Sequence, residues 1–188
     1  KHRYGYEAEG MWMPRVTAIT SLVSRPFFAG SYRSAEWGNK VHYAVEKILK
    51  EEMHEAEKEI EPTLRVFEQW RKEYTVRIIS PKEDIECKVY DFENGYAGTV
   101  DMVAEVQGTR GIVDLKTGNA IRDEHSLQTA AYLNAYNKGV QKKLQAKTRW
   151  ILRIDQNEEC KGCLAKRSMK SGKERISGGN EWCNHQWS

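Results

Sequence analysis

The sequence predicts an α/β domain with a short C-terminal appendage, and three observations carry that reading. Two stretches of helical periodicity occupy the first half, short β-type segments separated by turn signals follow between residues 86 and 116, and one more helix and strand complete the pattern. At roughly 100–200 residues per domain, a chain of 188 residues suits one domain. Six Trp, nine Tyr and four Phe supply large apolar area for a core. Stretches without charge, such as 16–24 and 125–137, are too short or too polar to resemble the ~20 apolar residues of a membrane helix. A soluble protein with no membrane partner is expected. The chain opens on Lys1 rather than Met, so processing or a longer parent chain is expected as well.

Thr17 to Val23 is apolar and β-branched, and reads either as a short strand or as the start of a helix. From Glu36 to about Lys58, Trp37, Val41, Ala44, Val45, Ile48 and Leu49 fall on one stripe at 3.6 periodicity. Pro62 suits the first turn of a second helix, whose expected buried stripe is Val66, Phe67, Trp70 and Tyr74. Strands are expected at Glu86–Tyr90, Tyr96–Val106 and Gly111–Lys116, joined by turns at Glu93-Asn94-Gly95 and Gln107-Gly108. Asp123 can N-cap a third helix running to Asn137, with Gly139 at the left-handed position after it. Thr148–Ile154 reads as the last strand. Residues 1–156 would form the main domain and 157–188 the appendage.

Net charge is +3, but it is unevenly spread. Between Lys138 and Arg175 there are twelve Lys/Arg and four Asp/Glu, which leaves 18 basic and 23 acidic residues elsewhere. A basic C-terminal third suits a polyanionic partner as well as it suits a plain solvated surface.

The chemistry concentrates in Gly98-Thr99-Val100-Asp101 and Gly111-Ile112-Val113-Asp114-Leu115-Lys116-Thr117-Gly118. A tight hairpin centred between Gln107 and Gly108 sets Val103 opposite Ile112, Glu105 opposite Arg110 and Asp101 opposite Asp114. Because side chains alternate, Asp114 and Lys116 share a face with Asp101, while Val100, Met102, Ala104 and Val106 with Val113 and Leu115 form an apolar core face. Two carboxylates and a lysine are thus expected together at the surface of a sheet. Opposed carboxylates repel unless a cation, a shared proton or the lysine compensates, and a divalent metal is the simplest compensation. Two further pairs lie four apart on helical faces: His42 with Glu46, and Gln128 with Tyr132.

Taken together these residues resemble the RecB-type branch of the PD-(D/E)XK nuclease superfamily over about Pro14 to Ile154. Pro14-Arg15-Val16-Thr17 is similar to the family's opening segment, and Trp37-Gly38-Asn39-Lys40-Val41-His42 with Glu46 to its Gly-and-His helix motif. Gly98-Thr99-Val100-Asp101 and Asp114-Leu115-Lys116-Thr117-Gly118 resemble the two catalytic motifs, with Val100 standing where the superfamily name has Pro. Gln128-Thr129-Ala130-Ala131-Tyr132 resembles the Gln-x-x-x-Tyr motif of this branch.

The resemblance implies a restriction-endonuclease-like core, a mixed central sheet flanked by helices with the Asp101 and Asp114 strands at its centre. It implies a Mg2+- or Mn2+-dependent deoxyribonuclease, expected to act as an exonuclease in DNA repair, recombination or phage DNA processing, with a helicase or recombination partner as a candidate. His42, Asp101, Asp114 and the backbone carbonyl of Leu115 would hold the metal, which polarises the scissile phosphate. Lys116 would orient the attacking water and offset developing charge. Glu46 would support His42 or ligate a second ion. Gln128 and Tyr132 would either position the DNA strand or brace the metal ligands. The competing class is a nuclease-fold DNA-binding module without catalysis, which ought to have lost ligands that are present here. A glycosidase gives Lys116 and His42 no role.

Cys160-Lys161-Gly162-Cys163 is a knuckle-like pair, and Cys183-Asn184-His185 offers two more ligands after nineteen intervening residues. A zinc site of three cysteines and one histidine is one reading, and free thiols in a reducing cytoplasm the other. Some RecB-type nucleases carry an iron–sulfur cluster with one Cys ahead of the His motif, a pattern not met here because Cys87 is the first cysteine. Closing the loop would order the tail's cations for DNA, with Lys166, Arg167 and Lys170 expected to contact it. Cys87 is expected to be a buried thiol.

Overall fold

The computed structural model describes residues 5–23, 32–52, 57–118, 120–154, 157–168 and 174–187. A four-stranded mixed sheet lies at its centre: β3 (Ile85–Asp91), β4 (Tyr96–Val106), β5 (Thr109–Lys116) and β6 (Thr148–Arg153), in that order. β3, β4 and β5 are antiparallel neighbours, whereas β6 runs parallel to β5 because α5 (Asp123–Gly139) intervenes between them. Gln107 and Gly108 both take left-handed φ values, 49° and 77°, the two-residue turn that suits a tight hairpin. Met102 pairs with Val113, Val103 with Ile112 and Glu105 with Arg110, the register expected from the turn.

Both faces of the sheet are covered. On one, Met102, Ala104, Val106, Val113 and Leu115 pack against Trp37, Val41, Ala44 and Val45 of α2 (Tyr32–Leu49) and Leu64 and Phe67 of α3 (Glu61–Glu73). On the other, Val89, Val100, Val103 and Ile112 pack against Tyr132, Ala135 and Tyr136 of α5 and Val16 of α1 (Val16–Val23). The result is the mixed, helix-flanked α/β core that the resemblance implied. Ahead of it stand a hairpin of β1 (Gly5–Ala8) and β2 (Met11–Pro14), and a one-turn α4 (Pro81–Asp84) precedes β3. The remaining strands, β7 (Asn157–Glu159), β8 (Lys166–Ser168) and β9 (Arg175–Ser177), make a separate antiparallel sheet.

Thr17–Val23, which reads either as a strand or as the start of a helix, is helical. Several other elements depart from expectation. α2 ends at Leu49 rather than near residue 58, and Glu51 just beyond it has a left-handed φ of 56°. The buried residues of α3 are Thr63, Leu64 and Phe67, while Val66 is 43% exposed and Tyr74 is exposed too. Periodicity alone left the angular position of that stripe about one residue out. Arg122, not Asp123, precedes the first turn of α5, and Gly139 belongs to the helix and is not left-handed.

Candidate active site

The face on which the carboxylates were expected is not a surface. Val103 and Ile112, neighbours of Asp101 and Asp114 on it, are fully buried under α5. β4 also does not keep one alternation throughout. Val100 faces α5, but Met102, two residues later, faces α2 and α3; on β3 the same change occurs between Ile85 and Cys87. The change of face falls where Glu86 adopts a left-handed φ of 51°, between the pairs Ile85–Met102 and Cys87–Val100. Val100 therefore belongs to the α5 layer, not to the core face on which the alternation put it.

This local twist sets the geometry of Asp101. Beyond the Met102–Val113 pair, Asp101 Oδ2 accepts the backbone N–H of Leu115 at 2.6 Å, and Oδ1 lies 3.2 Å from His42 Nδ1 on α2. Gly38, one turn before His42, lets α2 approach the end of β5: a Cβ there would sit 3.1 Å from Thr117 Oγ1. His42 keeps 32% of its side chain exposed. Burial pulls its imidazole toward the neutral form, but the hydrogen bond to Asp101 and its charge outweigh this, and the net direction is upward.

Asp114 is 2% exposed and sits on the α5 side of β5. Its Oδ1 accepts from Gln128 Nε2 at 3.0 Å, and Lys116 Nζ lies 2.5 Å from Oδ2. Gln128 also accepts from Lys116 at 3.3 Å and donates to the Tyr132 hydroxyl at 3.1 Å. Gln128 and Tyr132 are both buried. Tyr132 can lie flat beneath β4 because residue 98 is glycine; a Cβ there would come within 2.3 Å of its ring.

Glu86 completes the cluster, and sequence reasoning does not single it out. One ligand atom from each of His42, Glu86 and Asp101 lies within 4.8 Å of the others. A signal for it exists, since the β3–β4 register around the Glu93-Asn94-Gly95 turn sets Glu86 across from Asp101. Glu46, by contrast, stands one turn beyond His42 with its carboxylate on Lys50 at 2.6 Å, outside that trio. Leu115 lies in the sheet core, its backbone between the two aspartates.

Burial raises the Glu86 carboxyl, and the charges of Asp101 and Glu46 add to the effect. Burial likewise lifts Asp114 to about 6, with Asp101 adding to it and Lys116 opposing. Asp114 Oδ2 faces the Lys116 ammonium at 2.5 Å. Acids gathered round one imidazole, with a single lysine close by to offset their charge, are a donor set a divalent cation fits.

Elsewhere, Cys160, Cys163, Cys183 and His185 place one ligand atom each within 4.8 Å of the others. Lys166 is exposed, whereas Arg167 donates through Nε to Glu158 at 2.8 Å and lies over the Trp187 ring. Arg167 is thus paired inside the tail. Lys170 lies outside the described residues. Cys87 is partly buried, and burial pushes its thiol up to about 11.

The family model of the PD-(D/E)XK nuclease superfamily matches residues 53–185, and the chain belongs to that superfamily. The matched span includes Glu86, both aspartates, Lys116 and the C-terminal sheet, and it begins after α2 with His42. Nucleases of this superfamily generally use divalent metals, and the fold implies nucleic-acid binding. No curated protein shows significant similarity to the chain. Among the described residues no helix is long and apolar enough to cross a membrane.

Proposed function

We propose that the chain is a Mg2+- or Mn2+-dependent deoxyribonuclease of the RecB-type branch, acting as an exonuclease in repair, recombination or phage DNA processing. The observation that carries the reading is the grouping of His42 of α2, Glu86 of β3 and Asp101 of β4, with His42 Nδ1 at 3.2 Å from Asp101, beside a β5 on which Lys116 lies 2.5 Å from Asp114. The RecB-type assignment is supported by Gln128, which donates to Asp114, and by Tyr132 one turn further along α5, whose hydroxyl accepts from Gln128.

The metal would be held by His42, Asp101, Asp114 and the Leu115 carbonyl, with Glu86 as a further ligand, and would supply Lewis-acid charge to the scissile phosphate. The chain's own groups do the rest. Leu115 N–H fixes one oxygen of Asp101, and Gln128 fixes one oxygen of Asp114, so both carboxylates are aimed before substrate arrives. Lys116, held between Asp114 and Gln128, keeps a positive charge where a water can be oriented and phosphoryl charge offset. An imidazole ligand favours Mn2+ at least as much as Mg2+.

The test is digestion of end-labelled linear and circular DNA, single- and double-stranded, with Mg2+, Mn2+ or chelator. Metal-dependent loss of linear substrates, spared circles, and a drop of about 10²–10³-fold in Lys116→Met are expected. A folded Lys116→Met variant that cuts at the parental rate overturns the assignment. Cleavage of closed circles removes the exonuclease part alone.

A further inference from the structure

The C-terminal sheet has almost nothing to hold it together. β7, β8 and β9 are three residues each, and β9 is exposed throughout. Within residues 157–168 and 174–187, Cys160 and Ala165 are the buried side chains, while Leu164, Ile176 and Trp182 are exposed, Trp182 at 90%. So small a sheet with so little apolar burial does not fold on its own without a covalent or metal cross-link.

A cross-link is available. Cys160 closes a turn with Cys163: Cys160 N–H donates to Ala165 O at 2.8 Å and Leu164 N–H to Cys160 O at 2.9 Å, with Leu164 at a left-handed φ of 60°. The returning segment is pinned beside it by Lys161 N–H on Gln186 O at 3.0 Å and a bridge between Cys160 and Trp187. This puts Cys160 Sγ 3.8 Å from Cys183 Sγ and Cys163 Sγ 3.4 Å from His185 Nδ1. Ligands at about 2.3 Å (sulphur) and 2.0–2.1 Å (nitrogen) from a tetrahedral ion are spaced by roughly 3.5–3.8 Å along the tetrahedron's edges.

The surroundings are shaped for sulphur as well. A Cβ on Gly162 would sit 3.3 Å from Cys183 Sγ. Gly179, left-handed at φ 80°, would place one 2.8 Å from Cys163 Sγ and 2.5 Å from the Ala165 Cβ. Both glycines clear the space between the ligands.

We propose that Cys160, Cys163, Cys183 and His185 bind one zinc ion in a structural site that folds β7, β8 and β9 into a unit. Three thiolates and an imidazole complete a closed tetrahedron, which leaves no open position for chemistry. The same sulphur-rich set disfavours a hard cation such as Mg2+. The unit carries Glu158, whose carboxylate meets Arg65 of α3 at 3.3 Å, so ordering it also docks it on the nuclease core. The site is independent of the catalytic reading and stands or falls separately.

The full chain, purified without chelator, is expected to carry about one zinc per chain by elemental analysis. Refolded with Co2+, it is expected to show the visible bands of tetrahedral thiolate coordination. Zinc is expected to fall to about zero in Cys163→Ser and to persist in His185→Cys, which completes a tetrahedron of four thiolates. Limited proteolysis between residues 164 and 182 is expected only after zinc is removed. If Cys163→Ser does not fold, titrating the unaltered chain with a thiol-blocking mercurial and following zinc release with a metallochromic dye tests the same point. Chains free of zinc, chains that carry an iron–sulfur chromophore, or zinc that survives blocking of the thiols each overturn the proposal.

Discussion

With 2% of its surface exposed and burial lifting its carboxyl to about 6 in spite of Lys116 beside it, Asp114 is held where a charge is costly. An amide there keeps the shape and the acceptor for Gln128 while removing the charge. In chelator, Asp114→Asn is therefore expected to melt no lower than the parent and about 2–4 °C higher if the relief amounts to about 1 kcal/mol. Its DNA cleavage is expected to fall at least ~10²-fold. A clear drop in Tm would mean the charged form stabilises the fold. Glu86→Gln addresses the residue that completes the cluster: the metal concentration for half-maximal cleavage is expected to rise about 10-fold or more. An unchanged metal titration would remove Glu86 from the site.

At the scale of elements, the β3–β4 hairpin is stitched to α5 through a fully buried acid. Asp91 accepts from Asn94 N–H at 3.0 Å, Asn94 Nδ2 at 2.8 Å, Asn134 Nδ2 at 2.7 Å and Lys138 Nζ at 2.9 Å. Burial works against its charge, but the Asn94 and Lys138 bonds outweigh it and hold the carboxyl well below the usual carboxylate range. A depressed folded pKa stabilises above the unfolded value of about 3.9, and that contribution is lost as pH falls toward the folded value. Asp91→Asn is expected to cost about 1–3 kcal/mol in urea unfolding at pH 7, discounted because Lys138 is partly exposed. The gap to the parent is expected to narrow below about pH 4. A gap that stays constant with pH would show that the loss is one of packing and not of charge.

For the whole molecule, the unequal charge distribution gains a place. Lys161 and Lys166 are exposed on the C-terminal unit, whereas Arg167 is spent on Glu158 and Trp187. With each neutralised phosphate contributing about 0.9 to the slope of log affinity against log salt, Lys161→Glu with Lys166→Glu is expected to weaken DNA binding and reduce that slope by about 2. Equal slopes in the two proteins would make the tail a basic surface with no part in binding. That residues 157–188 act as an extension of a core ending near residue 156 is our reading of the separate sheet; the family match runs on through both parts.

What the sequence determined by itself was local. Two residues with positive φ at Gln107 and Gly108 can close only a tight turn, and the turn settles which β4 residue meets which β5 residue. The α2 stripe and the pairing of Gln128 with Tyr132 follow from helical spacing, and the grouping of Cys160, Cys163, Cys183 and His185 was legible from their types and clustering alone. What only the tertiary structure decided was depth and direction. A helix period states that a stripe exists but not what the neighbouring layer covers, so Val66 and Tyr74 came out exposed and Leu64 buried. Alternation assigns faces only while a strand stays regular, and the left-handed Glu86 ended that regularity beside Asp101, moving Val100 to the α5 layer. Glu86 joined the site, and Asp114 was buried rather than exposed, because the stacking of α5 on one face and α2 on the other is a long-range contact that short spacings do not encode.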